Sequence, residues 1–408
     1  MMVLRGDPSS AMRERLYYVD RLRVFAFGLL ILYHSSAAFF PDMGWLLHSE
    51  NTSRGLSLVM DFPRAWRLAL LFFISGMGVA FTFKPEQGLT FIYKRTVRLL
   101  IPLLFAMAVI VVPQVWYERM YENGYTGSFL EFWLTRYFTE GKYPTGNFTW
   151  AHMWFVAYLL VMSVICYPIF QYLLRPGNPI FAWFERVAKT GAIYLFFLLP
   201  LGLNLALSPI YPRETNALYN DGAWFAVWAS WFGLGFLISR HHRALIGTLI
   251  ARRYVSGGIA LATTIWLYLA SWTVAPEQAI GSYDVNETLL FKTSVFLLAW
   301  SMILTLIGFA ARYFNQPSER LVTMNRLVFP LYIVHQTVTV GALYYVLPLD
   351  LPAIQSFALV AAATAVISIA FAVAVDQLPS PLRQLVGLTE KPQPERAGEA
   401  LERSTRRG

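Results

Sequence analysis

The chain has 408 residues, of which 56% are hydrophobic and only 14% charged, with a mean hydropathy of +0.47. An ordinary soluble domain carries about 25% charged residues, so composition argues against a soluble globular protein and for a polytopic membrane protein. The net charge of +9 is dispersed over many connections, which argues against a nucleic-acid patch, and the single cysteine, Cys166, rules out an intramolecular disulfide and a zinc cluster.

Residues 1–19 are polar, carry Arg5, Arg13 and Arg15, and read as a short cytoplasmic lead-in. Apolar segments follow at about 22–40, 66–83, 97–115, 152–174, 191–208, 223–239, 255–274, 290–311, 327–347 and 353–375. Each approaches the length of about 20 residues that one crossing needs. The predicted fold is therefore all-α, with about ten transmembrane helices. The first apolar run exceeds the usual signal-peptide core of about 7–15 residues, so it reads as a retained helix. Residues 1–380 form one membrane-embedded domain in this reading, and 381–408 a disordered cytoplasmic tail.

Basic residues set the orientation. The N-terminal lead-in with Arg21, the connections 84–98, 175–190, 240–254 and 312–326, and the C-terminal tail hold 24 Lys and Arg. The alternate connections 41–67, 116–151, 209–222, 275–289 and 348–352 hold 7. Acidic residues divide 11 against 13, so the asymmetry is basic only, and both termini are predicted to be cytoplasmic.

The first segment carries Arg23 and, eleven residues on, His34. That spacing is about three helical turns, so both side chains share a face roughly 16 Å apart. With Arg23 at a membrane surface, His34 falls near mid-bilayer, where an ionisable group is a functional candidate. In the second segment, Phe72-Phe73-Ile74-Ser75-Gly76 suits close helix packing. Arg95 and Arg98 share a face at the start of the third. With Arg23 they suit phosphate groups, either those of lipid headgroups beside a plain topology signal or those of a phosphorylated cytoplasmic co-substrate.

The loop 116–151 is aromatic and carries Glu118, Glu122, Glu131 and Glu140. It fits sugar binding or an ordinary interfacial belt. His152 and Trp154 open the fourth segment near the outer surface, as acceptor contacts or as part of that belt. Cys166 reads as packing. His335 lies eight residues into the ninth segment, roughly 12 Å deep, a second histidine near mid-bilayer. His48, His241 and His242 fall in loops and take no role. There is no HExxH, GxSxG, Walker A or GxGxxG, and no metal is expected.

The order Arg23-x10-His34, Phe72-Phe-Ile-Ser-Gly76, Arg95-x2-Arg98 and Leu331-Tyr-Ile-Val-His335 resembles the acyltransferase-3 family of integral membrane acyltransferases over about 15–380. Asp20-x-Leu-Arg23, Pro113-Gln114 and His152-Met-Trp-Phe155 make the chain most similar to the glucan biosynthesis type. The resemblance implies a bacterial inner-membrane enzyme. It would move an acyl group, acetyl or succinyl, from cytoplasmic acyl-CoA to a hydroxyl of an extracytoplasmic glycan.

Joined to the residue reading, this gives expected roles. Arg23, Arg95 and Arg98 hold the CoA phosphates. His34 is general base or acyl acceptor, and His335 helps polarise the thioester. Asp20 orients Arg23, while His152 and Trp154 meet the glycan, which enters from the 116–151 side. The rival readings are a transporter or flippase, which would want the same histidines and basic vestibule, and an inactive scaffold.

Overall fold

The computed structural model describes residues 15–41, 43–274 and 289–388. These residues contain no strand, only an isolated bridge between Lys142 and Phe148. Helix α1, Tyr17–Ala37, is followed by α2, Arg54–Thr82. Ser53 caps α2 by accepting from the Leu56 N–H, so this helix begins twelve residues before the apolar run at 66. Helix α3, Leu89–Phe105, continues through a π-helical turn, Ala106–Ile110, into α4, Val112–Asn123. Gly124, at φ 63°, closes α4 in the left-handed conformation.

A single turn, Ala151–Met153, leads into α5, Trp154–Leu173. Next come α6, Pro179–Ala188, a tight turn at Gly191–Phe197, and α7, Leu198–Leu207. The chain then runs through α8, Gly222–Arg240, and α9, Arg253–Leu267. It ends with α10, Leu289–Tyr313, α11, Glu319–Val346, α12, Ala353–Asp376, and the short α13, Ser380–Leu385.

All ten expected segments are helical, but fewer qualify as spans. Among the described residues eight helices are long and apolar enough to cross a membrane. The stretch 179–207, bent by 112°, makes a ninth if it counts as one. Helix α1 is not among them, because any 18-residue stretch of it contains Asp20, Arg21 and Arg23. The charge that marks the site is what disqualifies the helix carrying it.

Helix α1 is surrounded by α2, α10, α11 and α12. Its neighbours are held in register. On α11, Asn325 accepts a hydrogen bond from Arg23 Nη1 at 2.9 Å, and the ring of His335 lies 5.2 Å from that of His34. Eleven residues on α1 match ten on α11, so the two helices run parallel. Helix α2 runs the other way. Gly78 is level with Arg23, and Arg67, eleven residues earlier, lies over the Tyr33 ring at 4.0 Å.

Helices α2 and α8 pack extensively. A Cβ on Gly76 would overlap the Phe232 carbonyl oxygen, and a Cβ on Gly235 that of Phe73. This reciprocal backbone approach bears out the packing role expected of the Ser75-Gly76 stretch. At the far end, α13 packs on α3, and Val386 and Leu388 are buried. Residues 381–388, expected to be disordered, are therefore packed, because their apolar side chains find a helix face. The rest of the expected tail lies outside the described residues.

Candidate active site

A cavity of about 2300 Å³ runs along α1 through the bundle. One end is lined by Arg15, Arg23, Lys94, Arg95, Arg98 and Asn325. Asp20 contacts Arg15 at 2.7 Å and Arg23 at 3.7 Å. Arg95 Nε donates to the Ser163 hydroxyl at 3.4 Å. Arg98 is exposed, and the charges of Arg23, Arg95 and Arg98 act on one another. The three expected guanidiniums therefore converge, with Asp20 beside Arg23 but bonded more closely to Arg15.

Roughly 16 Å further along α1 the cavity meets three histidines from three helical segments. His34 and His152 both pack edge-on against His335, with ring centroids 5.2 Å away in each case. Their hydrogen bonds differ, and the difference assigns their chemistry. His152 Nε2 meets the Ile333 carbonyl at 2.9 Å, so it carries the proton, and its Nδ1 faces Gln114 Nε2 at 3.4 Å. Both nitrogens are occupied. His335 Nδ1 meets the Tyr332 carbonyl, which leaves a bare lone pair on Nε2 with no partner. His34 Nδ1 also has no partner, and the ring is only half-buried, open to the cavity, whereas His335 is fully buried.

His152 is thus enclosed by protein on both ring nitrogens. It is buried, because the turn before α5 tucks it under α11. Gln114 holds that arrangement, donating to the Thr337 hydroxyl at 2.8 Å and accepting from Gln336 Nε2 at 3.2 Å. Trp154 does line the cavity, against Phe72 and Tyr158.

Arg67 is missing from the expected roles because the connection 41–67 claims it as a loop charge at the very edge of the segment 66–83, whereas it sits well inside α2. It is buried, and its Nε and Nη1 have no partner. Its charge acts on both His34 and His335. The signal that could have found it is Ser53, a capping residue three positions before Leu56, where apolar residues (Leu56, Val59, Met60) already begin ahead of the run at 66.

Beyond Arg67 the cavity opens along Asp61, Arg64, Tyr211, Glu214, Asn216, Trp224 and Trp272. Among the described residues none of 116–151 lines it, so the loop expected to admit the acceptor does not face this space. Glu214 is open to the cavity yet ringed by protein. Burial, and after it the charge of Asp221, push its carboxyl up to about 7, with Arg64 opposing. No group of three His, Cys, Asp or Glu side chains among the described residues is placed to hold a metal ion.

Residues 16–376 match the family profile described as "Acyltransferase domain". The chain is 26% identical over 356 residues to "Glucans biosynthesis protein C" of Escherichia coli O139:H28, covering 84% of this chain and 86% of that protein. The protein of that name from Shigella dysenteriae serotype 1 is also 26% identical over the same shares, and that of Escherichia coli K12 is 25% identical. No solved structure matches the chain.

Proposed function

The chain belongs to this acyltransferase-3 family of membrane proteins, and on that premise we propose that it O-acylates an extracytoplasmic glycan from cytoplasmic acyl-CoA. The single observation that carries the reading is the continuous cavity joining three guanidiniums to an open imidazole and then to an aromatic, carboxylate-bearing mouth. Its relatives' name, glucan biosynthesis, supports a glucan as acceptor.

In this reading Arg23, Arg95 and Arg98 hold the CoA phosphates by charge-assisted bonds, with Asp20 and Asn325 fixing Arg23. The basic asymmetry of the connections supports a cytoplasmic position for that end and for both termini, in a bacterial inner membrane. The acyl-pantetheine arm extends along α1 until the thioester carbonyl reaches His34. The glycan enters from the mouth at Asp61, Glu214 and Trp224, with Trp154 as a deeper contact.

His34 takes the proton of the acceptor hydroxyl as its oxygen attacks the thioester carbon. The C–O bond forms, the C–S bond breaks, and the imidazolium returns the proton to sulfur, releasing CoA as the thiol. A small rotation would let His34 Nδ1–H donate to the bare Nε2 of His335, which leaves His34 Nε2 as the base. His335 then positions His34 rather than touching substrate. His152, with both nitrogens engaged, holds His335 in place.

The test is to mix purified protein, acyl-CoA and a glucan, and to follow free CoA and acylated glucan together. Equal amounts of both are expected. Movement of unmodified substrate across proteoliposomes, with no CoA released, would replace this reading with that of a transporter.

A further inference from the structure

We infer that Arg67 is a specificity determinant for an acyl group that ends in a carboxylate. The inference rests on the acyltransferase reading above and names the class of donor that the same cavity would take.

Arg67 is 3% exposed, yet Nε and Nη1 have no hydrogen-bond partner, and among the described residues no carboxylate pairs with it. Tyr33 covers one face of the guanidinium, and Arg64, the nearest charged group on its own helix, has the same sign. A buried guanidinium without a counter-ion is costly, and one is kept where something else supplies the anion.

Position decides which anion. The CoA phosphates are excluded by distance. Gly78 marks the level of Arg23, and Arg67 lies eleven residues from it along α2, roughly 16 Å away. Arg67 is instead level with His34, where the thioester carbonyl is placed. A donor stretched from the arginine end to His34 has only its acyl chain left to offer beyond the carbonyl. The transient oxyanion of the transfer would meet the same charge, but only for the lifetime of the intermediate. A terminal carboxylate neutralises Arg67, which lines the cavity, throughout the bound state by a charge-assisted bond. A four-carbon dicarboxylic half-thioester has that form, whereas a methyl-ended chain of equal length leaves the guanidinium buried and unpaired.

The experiment compares succinyl-CoA with butyryl-CoA, which differ by carboxylate for methyl at the chain end. Binding of their thioether analogues, which lack the carbonyl, is measured by calorimetry alongside turnover of the thioesters. For the wild-type protein both readouts should favour the carboxylate-bearing donor, and Arg67→Met should reduce that preference roughly 10²-fold, with Arg67→Lys retaining part of it. An equal preference in the wild type, or a loss in Arg67→Met that is the same for both donors, would overturn the inference. Because the thioethers cannot react, an Arg67-dependent binding preference without any turnover would sustain the inference and sink the transfer reading instead. Absence of binding by either analogue would sink both.

Discussion

The two positively charged levels of the cavity are built differently. At the arginine end, Asp20, Asn325 and Ser163 engage the guanidiniums of Arg15, Arg23 and Arg95, and Arg98 is exposed. At the histidine level His34 Nδ1, His335 Nε2, Gln336 Oε1 and the Nε and Nη1 of Arg67 have no partner, and all but the half-buried His34 are buried residues. A group that is already paired and hydrated exchanges ligands at low cost. A buried group with no partner is completed only when a ligand arrives. The first level therefore suits a charged handle that must bind and leave, and the second suits the reacting end of the substrate.

The sharpest way to break this contrast is at His34. His34→Ala should lower transfer roughly 10²–10⁴-fold while calorimetry shows the CoA end still bound. Near-normal turnover would remove the base from the scheme. Next in size, Arg98→Ala should weaken CoA affinity about 10-fold, and added salt should narrow the gap because this level is open to water. An affinity that ignores both the substitution and the salt would mean that the phosphates bind elsewhere.

His152 tests the contrast from within the histidine level, since it alone of the three is satisfied. His152→Ala should cost about 1–3 kcal/mol of stability, read as a lower midpoint of thermal unfolding, by stranding Gln114 and the Ile333 carbonyl. A change confined to glycan KM, with stability intact, would restore it as an acceptor contact.

The smallest effect belongs to Glu214 at the far mouth. Its carboxyl titrates higher when folded, about 7 against an ordinary value of 4.5. The folded chain then binds more protons, so the contribution to stability is present below the ordinary value and is lost as pH rises through 7. Glu214→Gln should flatten that slope in a pH series of unfolding midpoints. Its openness to cavity water keeps the effect small, and an unchanged slope would mean that this carboxyl is ordinary.

Local pattern carried part of this site. Arg23 and His34 share a face because of helical spacing alone, and Arg95 and Arg98 likewise. Convergence of these residues with His335 needed the parallel register of α1 and α11, which joins positions some three hundred residues apart. Arg67 was hidden because hydropathy locates the greasy part of a helix and not its capped beginning. The burial of His152 was not legible because a segment boundary says where a helix starts, not what lies above it. The 116–151 loop does not line the cavity, and the proposed acceptor route runs by the Glu214 mouth instead, for a related reason: loop composition does not say which way a loop faces.

The amino-acid sequence by itself determined a helical membrane protein, its segments, and the charge and imidazole of its first helix. Hydropathy and the 3.6-residue period act within one segment, so one dimension suffices to read them. The tertiary structure alone decided which polar atoms stay unpartnered, since that depends on every neighbour a side chain fails to meet. Arg67 and the bare nitrogen of His335 owe their prominence to that accounting.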